Sequence, residues 1–187
     1  SKFKIGKIQE FIDNGVILSH LDGNHGGNYP RNNEFVDDGI KYISATMIKN
    51  GELDWNETRF LTQEKASKLK KGRAKDGDVL LAHNAVVGPS TILHTNDDFV
   101  ILGTSLTYYR CYKEKLNNNY LLYYFRSNFF QKQLNSVMKQ STRNQVPITT
   151  QRKLLLVVPD LNSQKEIAKI LHSSEKEFKS IYESILK

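Results

Sequence analysis

The sequence predicts an α+β fold, with a mainly β domain that carries packed helices and is followed by a long C-terminal amphipathic helix. Between residues 40 and 112, short stretches rich in β-branched and aromatic residues alternate with turns that contain Gly or Pro, which is the pattern of short strands. After residue 160, apolar residues recur every three or four positions, the spacing of an amphipathic helix. We therefore place the domain at residues 1–160 and the helix at residues 161–187.

Composition narrows the classes of protein to which the chain can belong. Its 27 Lys and Arg residues exceed its 20 Asp and Glu residues and give a formal charge of +7, which attracts polyanions such as nucleic acids. Cys111 is the only cysteine, so internal disulfides and paired-cysteine zinc sites are excluded. The apolar runs are too short for a membrane span and no secretion signal is visible, so we expect a cytoplasmic protein with no membrane partner.

The elements of the N-terminal part are predicted from periodicity and turn residues. Apolar residues at helical spacing predict a helix over residues 3–12 that ends at Asn14-Gly15. Residues 16–18 are expected to form a short buried strand. The Gly- and Asn-dense segment 22–30 is expected to be a loop.

The remaining elements follow in chain order. Further strands are predicted at 41–43, 78–82, 90–93, 99–101, 105–112 and 154–158. A short helix from Thr62 to Leu69 should interrupt them, with Thr62 as its N-cap. Asn118 or Asn119 is expected to cap a single helix that continues to Met138. The capping box that begins at Ser163 is expected to open the last helix.

The signatures of the common enzyme classes are absent from the sequence. It has no phosphate-binding loop, no dinucleotide-binding turn, no methyltransferase tetrapeptide and no histidine spacing of a metal site. One pattern resembles a metal-dependent nuclease, with Asp160 followed by Glu177 and Lys179. We interpret it as coincidental because Glu177 and Lys179 flank Phe178 on the predicted helix and would point away from each other. We therefore predict no catalytic residue, no metal and no cofactor in this chain, and keep the nuclease as an alternative.

Polar side chains in predicted loops beside strands are candidates for contacts with DNA. Arg matches guanine edges, Asn and Gln match adenine edges, and Lys matches phosphates. The candidates are Asn24, His25, Asn28, Tyr29 and Arg31 in the first loop, Lys70, Lys71 and Arg73 in a basic run, His83 and Asn84 after a strand, and Arg143, Asn144 and Gln145. The alternative for each is structural, because Asn and Gly often serve turns and Lys runs often form solvated faces. The group Arg143 to Gln145 is the strongest, because a polar triplet between a helix and a strand has little to contribute to a core.

The apolar stripe of the last helix predicts a packing surface. The stripe consists of Ile167, Leu171, Phe178, Ile181 and Ile185, at coiled-coil spacing. The helix could lie back on its own domain. It could instead pair with a helix of a second copy or of a partner subunit.

Several motifs together resemble a known family. They are, in order, Tyr42-Ile43-Ser44-Ala45-Thr46-Met47-Ile48, then Lys75 to Ala82, Val87-Gly88-Pro89-Ser90, Asn144-Gln145-Val146-Pro147-Ile148 and Asn162 to Leu171. Their order and spacing resemble the target-recognition domain of the specificity subunits of type I restriction-modification enzymes. The resemblance spans nearly the whole chain.

The resemblance implies a partner set and a mode of action. A full specificity subunit would hold two such domains, each followed by a long helix, so one domain with one helix implies a half subunit or a chain from which a second domain was removed. A half subunit would recognise double-stranded DNA without catalysis and would pair with a second copy through the C-terminal helix. It would dock methyltransferase subunits that bring S-adenosylmethionine, and restriction subunits that use ATP and Mg²⁺. A protein-interaction module without DNA binding is the other alternative.

Overall fold

The computed structural model describes residues 3–26, 29–140 and 144–186. The strands are β1 Phe3–Lys7, β2 Ile17–Asp22, β3 Phe35–Val36, β4 Ile40–Ile43, β5 Ile48–Lys49, β6 Glu52–Leu53, β7 Arg59–Leu61, β8 Arg73–Ala74, β9 Val79–Asn84, β10 Val86–Ile92, β11 Val100–Leu102, β12 Leu106–Cys111 and β13 Leu155–Pro159. The helices are α1 Ile8–Asp13, α2 Gln63–Lys68, α3 Asn118–Arg126, α4 Asn128–Met138, α5 Ile148–Gln151 and α6 Leu161–Ile185. The predicted fold class, a mainly β domain with packed helices and a long C-terminal helix, is confirmed.

The central sheet is covered on both faces. It is antiparallel, with the strand order β10-β9-β12-β2. Successive residues of a strand face opposite sides, so Val79 and Leu81 of β9 pack in the core formed with α3 and α4. Leu80 and Ala82 enter a second core, between this sheet and its neighbour. This burial on both faces explains the unbroken apolar run that predicted β9.

A second sheet lies against the first and carries α2 on its outer face. Its strand order is β3-β7-β4-β11-β8, in which β4 and β11 are parallel. Leu61, Ala66 and Leu69 form the core beneath α2. The hydroxyl of Thr62 accepts a hydrogen bond from the backbone N–H of Lys65 at 3.1 Å, which confirms Thr62 as the N-cap.

The predicted helix over residues 3–12 is wrong for its first half. Residues 3–7 form β1, which pairs with β13 in a two-stranded sheet in which Ile5 lies opposite Val157. Only Ile8–Asp13 is helical. The pairing satisfies the backbone groups of residues 3–7 by contact with a segment distant in sequence, which local periodicity cannot reveal.

The single helix predicted up to Met138 is two helices. Ser127 has an extended conformation (ψ 147°), and its hydroxyl accepts a hydrogen bond from the backbone N–H of Phe130 at 3.3 Å. It therefore ends α3 and caps α4. The cap of α3 is Asn117 rather than Asn118 or Asn119, because its side chain accepts from the backbone N–H of Tyr120 at 2.9 Å.

The long C-terminal helix is present and begins at Leu161, but its cap is not the predicted one. Asp160 caps α6 by accepting a hydrogen bond from the backbone N–H of Ser163 at 3.0 Å, so Ser163 is not the cap. Gln164 and Ala168 are buried against the domain, and the rest of α6 is largely exposed. Within the described part of the chain, no helix is both long enough and apolar enough to cross a membrane.

Candidate nucleic-acid interface

The tip of the hairpin formed by β9 and β10 is a turn at Ala85. Val86 pairs with Asn84 across this turn, and Ala85 has a φ of 63°, in the left-handed region that residues other than glycine rarely adopt. The backbone N–H of Ala85 donates to the carbonyl oxygen of Asn144 at 3.0 Å, and the side-chain amide of Asn144 donates to the carbonyl oxygen of Ala85 at 2.6 Å. Asn144 therefore holds the tip of the hairpin in its strained conformation.

Residues 144–146 run antiparallel beside the end of β9. Asn84 pairs with Gln145, and the backbone N–H of Val146 donates to the carbonyl oxygen of His83 at 2.8 Å. This segment continues the sheet beyond the point where the pairing of β12 with β9 ends. Two groups of candidate residues that lie far apart in sequence are thus brought together at one end of the central sheet.

A cleft of about 280 Å³ borders the hairpin tip. Tyr29 and Asn84, both predicted from sequence, line it together with Arg59, which the sequence analysis missed. The Arg59 guanidinium lies 3.4 Å from the centre of the Phe35 ring and donates to the side-chain oxygen of Asn32 at 3.3 Å. The cleft thus combines an aromatic ring, a cation and an amide, the groups that stack on bases and bind their edges.

The first loop is packed closely beside this cleft, and Asn24 has a structural role in it. Asn24 is 7% exposed, its amide donates to the carbonyl oxygen of Lys71 at 2.7 Å, and its side-chain oxygen accepts from the backbone N–H of Lys71 at 3.3 Å. A Cβ atom on Gly23 would lie 2.4 Å from the carbonyl oxygen of Leu102, so only glycine fits there. The prediction that Asn24 contacts DNA bases is therefore corrected: its buried side chain holds the backbone of Lys71 instead.

Lys70 and Lys71 are exposed cations beside the first loop. Their neighbours in the basic run are already paired, because Lys65 contacts Glu34 at 2.6 Å and Lys68 contacts Glu64 at 2.7 Å. Neither Lys70 nor Lys71 forms an ion pair within residues 3–26, 29–140 and 144–186. Their charges are therefore available to phosphates.

The guanidinium of Arg73, in contrast, is already bonded within the protein. Its guanidinium donates to the carbonyl oxygens of Leu69 at 2.8 Å and Ala66 at 2.9 Å, and it lies 4.7 Å from the centre of the Phe99 ring. These bonds satisfy carbonyl groups at the C-terminal end of α2. The prediction of Arg73 as a phosphate ligand is corrected to a helix-capping role.

His83 is also an internal residue rather than a surface contact. It is 4% exposed, and its Nδ1 lies 3.2 Å from the carbonyl oxygen of Val146. Because a carbonyl oxygen only accepts, Nδ1 must carry the proton of the neutral ring. Burial lowers the pKa of His83 and favours this neutral form. His83 therefore supports the segment beside the hairpin instead of facing DNA.

The other first-loop candidates within the described ranges are exposed. His25 is exposed, with its Nε2 2.8 Å from a carboxylate oxygen of Asp22. Arg31 is exposed, and its side chain makes no hydrogen bond or ion pair among the described residues. Asn28 and Arg143 lie outside the described residues.

The residues around the hairpin tip and the cleft, together with the two exposed lysines beside the first loop, form what we call the recognition edge. It consists of Tyr29, Arg59, Lys70, Lys71, Asn84, Ala85, Val86, Asn144 and Gln145. Within the described ranges, no group of three His, Cys, Asp or Glu residues is placed to hold a metal ion. The chemistry of the edge is suited to contacts with bases and phosphates.

The sequence of this chain is similar to those of known proteins. The family model of the type I restriction modification DNA specificity domain matches residues 2–186. The chain belongs to this family. The specificity subunit of the type I restriction enzyme MjaVIII from Methanocaldococcus jannaschii is 26% identical over 176 residues. The putative MjaX specificity subunit of the same organism is 28% identical over 179 residues. These matches cover 92% and 91% of this chain but only 41% of each relative.

Solved structures show the same fold. The HsdS subunit from Thermoanaerobacter tengcongensis superposes with a TM-score of 0.70 at 16% identity, over 98% of this chain and 40% of that one. A chain from a study of complex assembly and conformational transition of the type I R-M system has a TM-score of 0.73 at 16% identity, with the same coverage. The S subunit from M. genitalium has a TM-score of 0.60 at 12% identity and is covered over 43% of its length. This specificity domain therefore spans about two fifths of the chains that it matches.

The nuclease alternative finds no support in the specificity domain. Asp160 caps α6, whereas Glu177 lies roughly 25 Å further along the same helix at 1.5 Å per residue. The Lys179 ammonium lies 3.4 Å from a carboxylate oxygen of Glu52 rather than beside either acid. The three residues are not brought together, so the resemblance to a nuclease is coincidental.

The side of α6 that faces the rest of the specificity domain is polar beyond its first turns. The Tyr123 hydroxyl donates to the carboxylate of Glu175 at 2.9 Å and lies 3.3 Å from Nδ1 of His172. Arg126 contacts the same carboxylate at 2.8 Å. These contacts fix the direction in which the helix leaves the domain.

A second side of α6, roughly 100° around the helix from the first, is apolar and exposed. The exposed fractions are 38% for Ile167, 41% for Leu171, 75% for Phe178, 50% for Ile181 and 74% for Ile185. The helix therefore does not bury its predicted stripe on its own domain. This stripe, which we call the α6 stripe, has the pattern of a surface that packs against another helix.

Proposed function

We propose that this chain recognises a specific sequence in double-stranded DNA as one half of a type I specificity subunit, with the recognition edge facing the DNA. The observation that carries the proposal is the placement of Asn84 beside Asn144 and Gln145 at the end of a rigid sheet, in a chain of the DNA specificity family. The chain itself contributes recognition and not catalysis.

The edge supplies the two kinds of contact that DNA recognition needs. Lys70 and Lys71 provide charge for phosphates, which positions the duplex and makes binding depend on salt. The amides of Asn84 and Gln145 can each form paired hydrogen bonds with an adenine, and Arg59 can do so with a guanine. A single edge of this size implies weak binding by the isolated chain.

We further propose that the α6 stripe pairs with the same stripe of a second copy. The exposure of its apolar side chains supports this pairing. Two-fold symmetry would place two recognition edges on one duplex and select a palindromic target split by a spacer. The assembled pair would act in the cytoplasm with methyltransferase subunits that bring S-adenosylmethionine and restriction subunits that use ATP and Mg²⁺.

Selection from a randomised duplex pool tests the proposal. The chain is incubated with the pool in the presence of methyltransferase subunits, and the retained DNA is sequenced. We expect a split motif, with base preference lost at defined positions in the double variant Asn144→Ala, Gln145→Ala. The control is Asn119→Ala, which removes an exposed amide at the far end of the central sheet. A pool without sequence preference, with methyltransferase binding retained, would instead favour a protein-interaction module.

A further inference from the structure

A fully buried glutamine lies behind the recognition edge. Gln151, at the end of α5, is 0% exposed. Its side-chain oxygen accepts hydrogen bonds from the Tyr109 hydroxyl at 2.7 Å and the Thr107 hydroxyl at 3.0 Å, and lies 3.1 Å from Nε2 of His20. Three donors from β2 and β12 therefore converge on one oxygen atom inside the core.

The amide nitrogen of Gln151 links this network to the edge. It donates to the carbonyl oxygen of Val146 at 2.9 Å, and the same oxygen lies 3.2 Å from Nδ1 of His83. Since that carbonyl oxygen only accepts, the orientation of the Gln151 amide is determined, with its oxygen towards the three donors. The backbone of Val146 is thus held on both sides: its N–H donates to the carbonyl oxygen of His83, and its carbonyl oxygen accepts from Gln151.

Val146 directly follows the two residues whose side chains form the end of the recognition edge, Asn144 and Gln145. An amide must be placed within about 0.5 Å of its productive position to form a paired contact with a base. Residues 144–146 are held to the hairpin tip at Asn144 and to the end of β9 at Val146, and Val146 is where the buried amide of Gln151 adds a further bond. Directional hydrogen bonds from a buried amide favour a single arrangement, which an apolar contact would not specify.

We infer that Gln151 is a positioning residue for DNA recognition: it fixes the Val146 peptide and thereby the direction of Asn144 and Gln145. This inference rests on the proposed function. It assigns specificity to a residue that never touches DNA.

The chain contains a matched control in Gln164. This residue is also 0% exposed and makes three hydrogen bonds, donating to the carbonyl oxygens of Lys115 at 3.0 Å and Pro159 at 2.8 Å and accepting from the backbone N–H of Asn117 at 2.8 Å. Its bonds hold the start of α6 rather than the recognition edge. Loss of a buried amide therefore has a similar structural cost at both positions and a different functional cost.

The test compares Gln151→Met with Gln164→Met, since Met has similar volume and no amide. For each, the ratio of affinities for the selected motif and for a scrambled duplex is measured with methyltransferase subunits present. Hydrogen exchange is followed at the backbone amides of residues 144–146. We expect Gln151→Met to lower the affinity ratio about tenfold, the discrimination that one well-placed base contact supplies, and to speed exchange at these amides. Gln164→Met should lower the melting temperature but keep both readouts.

The outcomes separate this inference from the proposed function. A wild-type chain that selects no motif would overturn both. A wild-type motif that Gln151→Met retains at full discrimination would overturn only the role of Gln151, as would an equal loss in Gln164→Met. If Gln151→Met does not fold, the double variant Thr107→Val, Tyr109→Phe replaces it, because it removes two of the three donors to the Gln151 oxygen and is judged by the same readouts.

Discussion

Truncation of the most exposed aromatic residue of α6 should separate association from folding. Phe178 is 75% exposed, so Phe178→Ala removes little that stabilises the isolated chain, and Ala favours the helix. In a symmetric pair the ring would be buried in each copy. We therefore expect a weaker dimer, with an unchanged melting temperature at concentrations where the chain is monomeric.

The size of the effect follows from the area that pairing would bury. Full burial of a large apolar side chain contributes about 2 kcal/mol, and two copies of Phe178 contribute to one interface. If half to all of this is lost, the dimer weakens by about 2–4 kcal/mol, which is roughly a 30-fold to 700-fold rise in the dissociation constant. Sedimentation equilibrium over a range of concentrations measures this constant.

Phe129 provides the control, because it is an exposed phenylalanine of α4 outside the α6 stripe. Phe129→Ala should leave the dissociation constant unchanged. A wild-type chain that stays monomeric at high concentration, or a Phe178→Ala variant that associates as tightly as wild type, would refute the pairing of α6 stripes.

Three further outcomes are expected. Replacing Lys70 and Lys71 by Gln should reduce the steepness with which the logarithm of the DNA association constant falls with the logarithm of salt concentration, by about 1.8 in anisotropy titrations, at about 0.9 per phosphate contact. An unchanged slope would show that neither lysine contacts DNA. Arg73→Gln should instead leave that slope intact and lower the free energy of unfolding in urea by about 1–3 kcal/mol, since its carbonyl partners lose their donor. Burial lowers the pKa of His20 from 6.5 to about 3, so the unfolded chain takes up a proton that the folded chain excludes. The stability that the neutral His20 ring contributes is fully present above pH 6.5 and is lost as the pH falls towards 3, by up to about 1.4 kcal/mol per pH unit. His20→Gln should reduce this dependence of the free energy of unfolding on pH between pH 7 and pH 5.

Elements with strong local signals were predictable from sequence. Thr62 caps α2 as expected because the cap is made by residues three positions apart. In contrast, β1 forms by pairing with β13, which lies at the other end of the domain's sequence, so the helical spacing of its apolar residues was misleading. The break at Ser127 was hidden because the apolar stripe continues through it into the same core. At Asp160, the Pro159-Asp160 pair was the overlooked signal for the start of α6.

The residue types of the candidate site were predictable, but the directions of their side chains were not. Asn84 and Gln145 were both proposed, yet only the sheet shows that they are neighbours. Asn24 and His83 are polar enough to contact DNA, but their side chains are buried and bond the backbone of the protein instead. Arg59 was missed because its place in the cleft depends on two loops and a strand that meet only in the folded chain.

The recognition edge, and not another surface of the domain, should face DNA. Photo-cross-linking from Val86 and from Tyr112 tests it directly, using a benzophenone side chain at either position. These positions are 44% and 39% exposed, and they lie at opposite ends of the central sheet, roughly 20 Å apart along the six residues of β12. A cross-link is expected from position 86 to bases within the selected motif, and none from position 112. A cross-link from position 112 alone would contradict it.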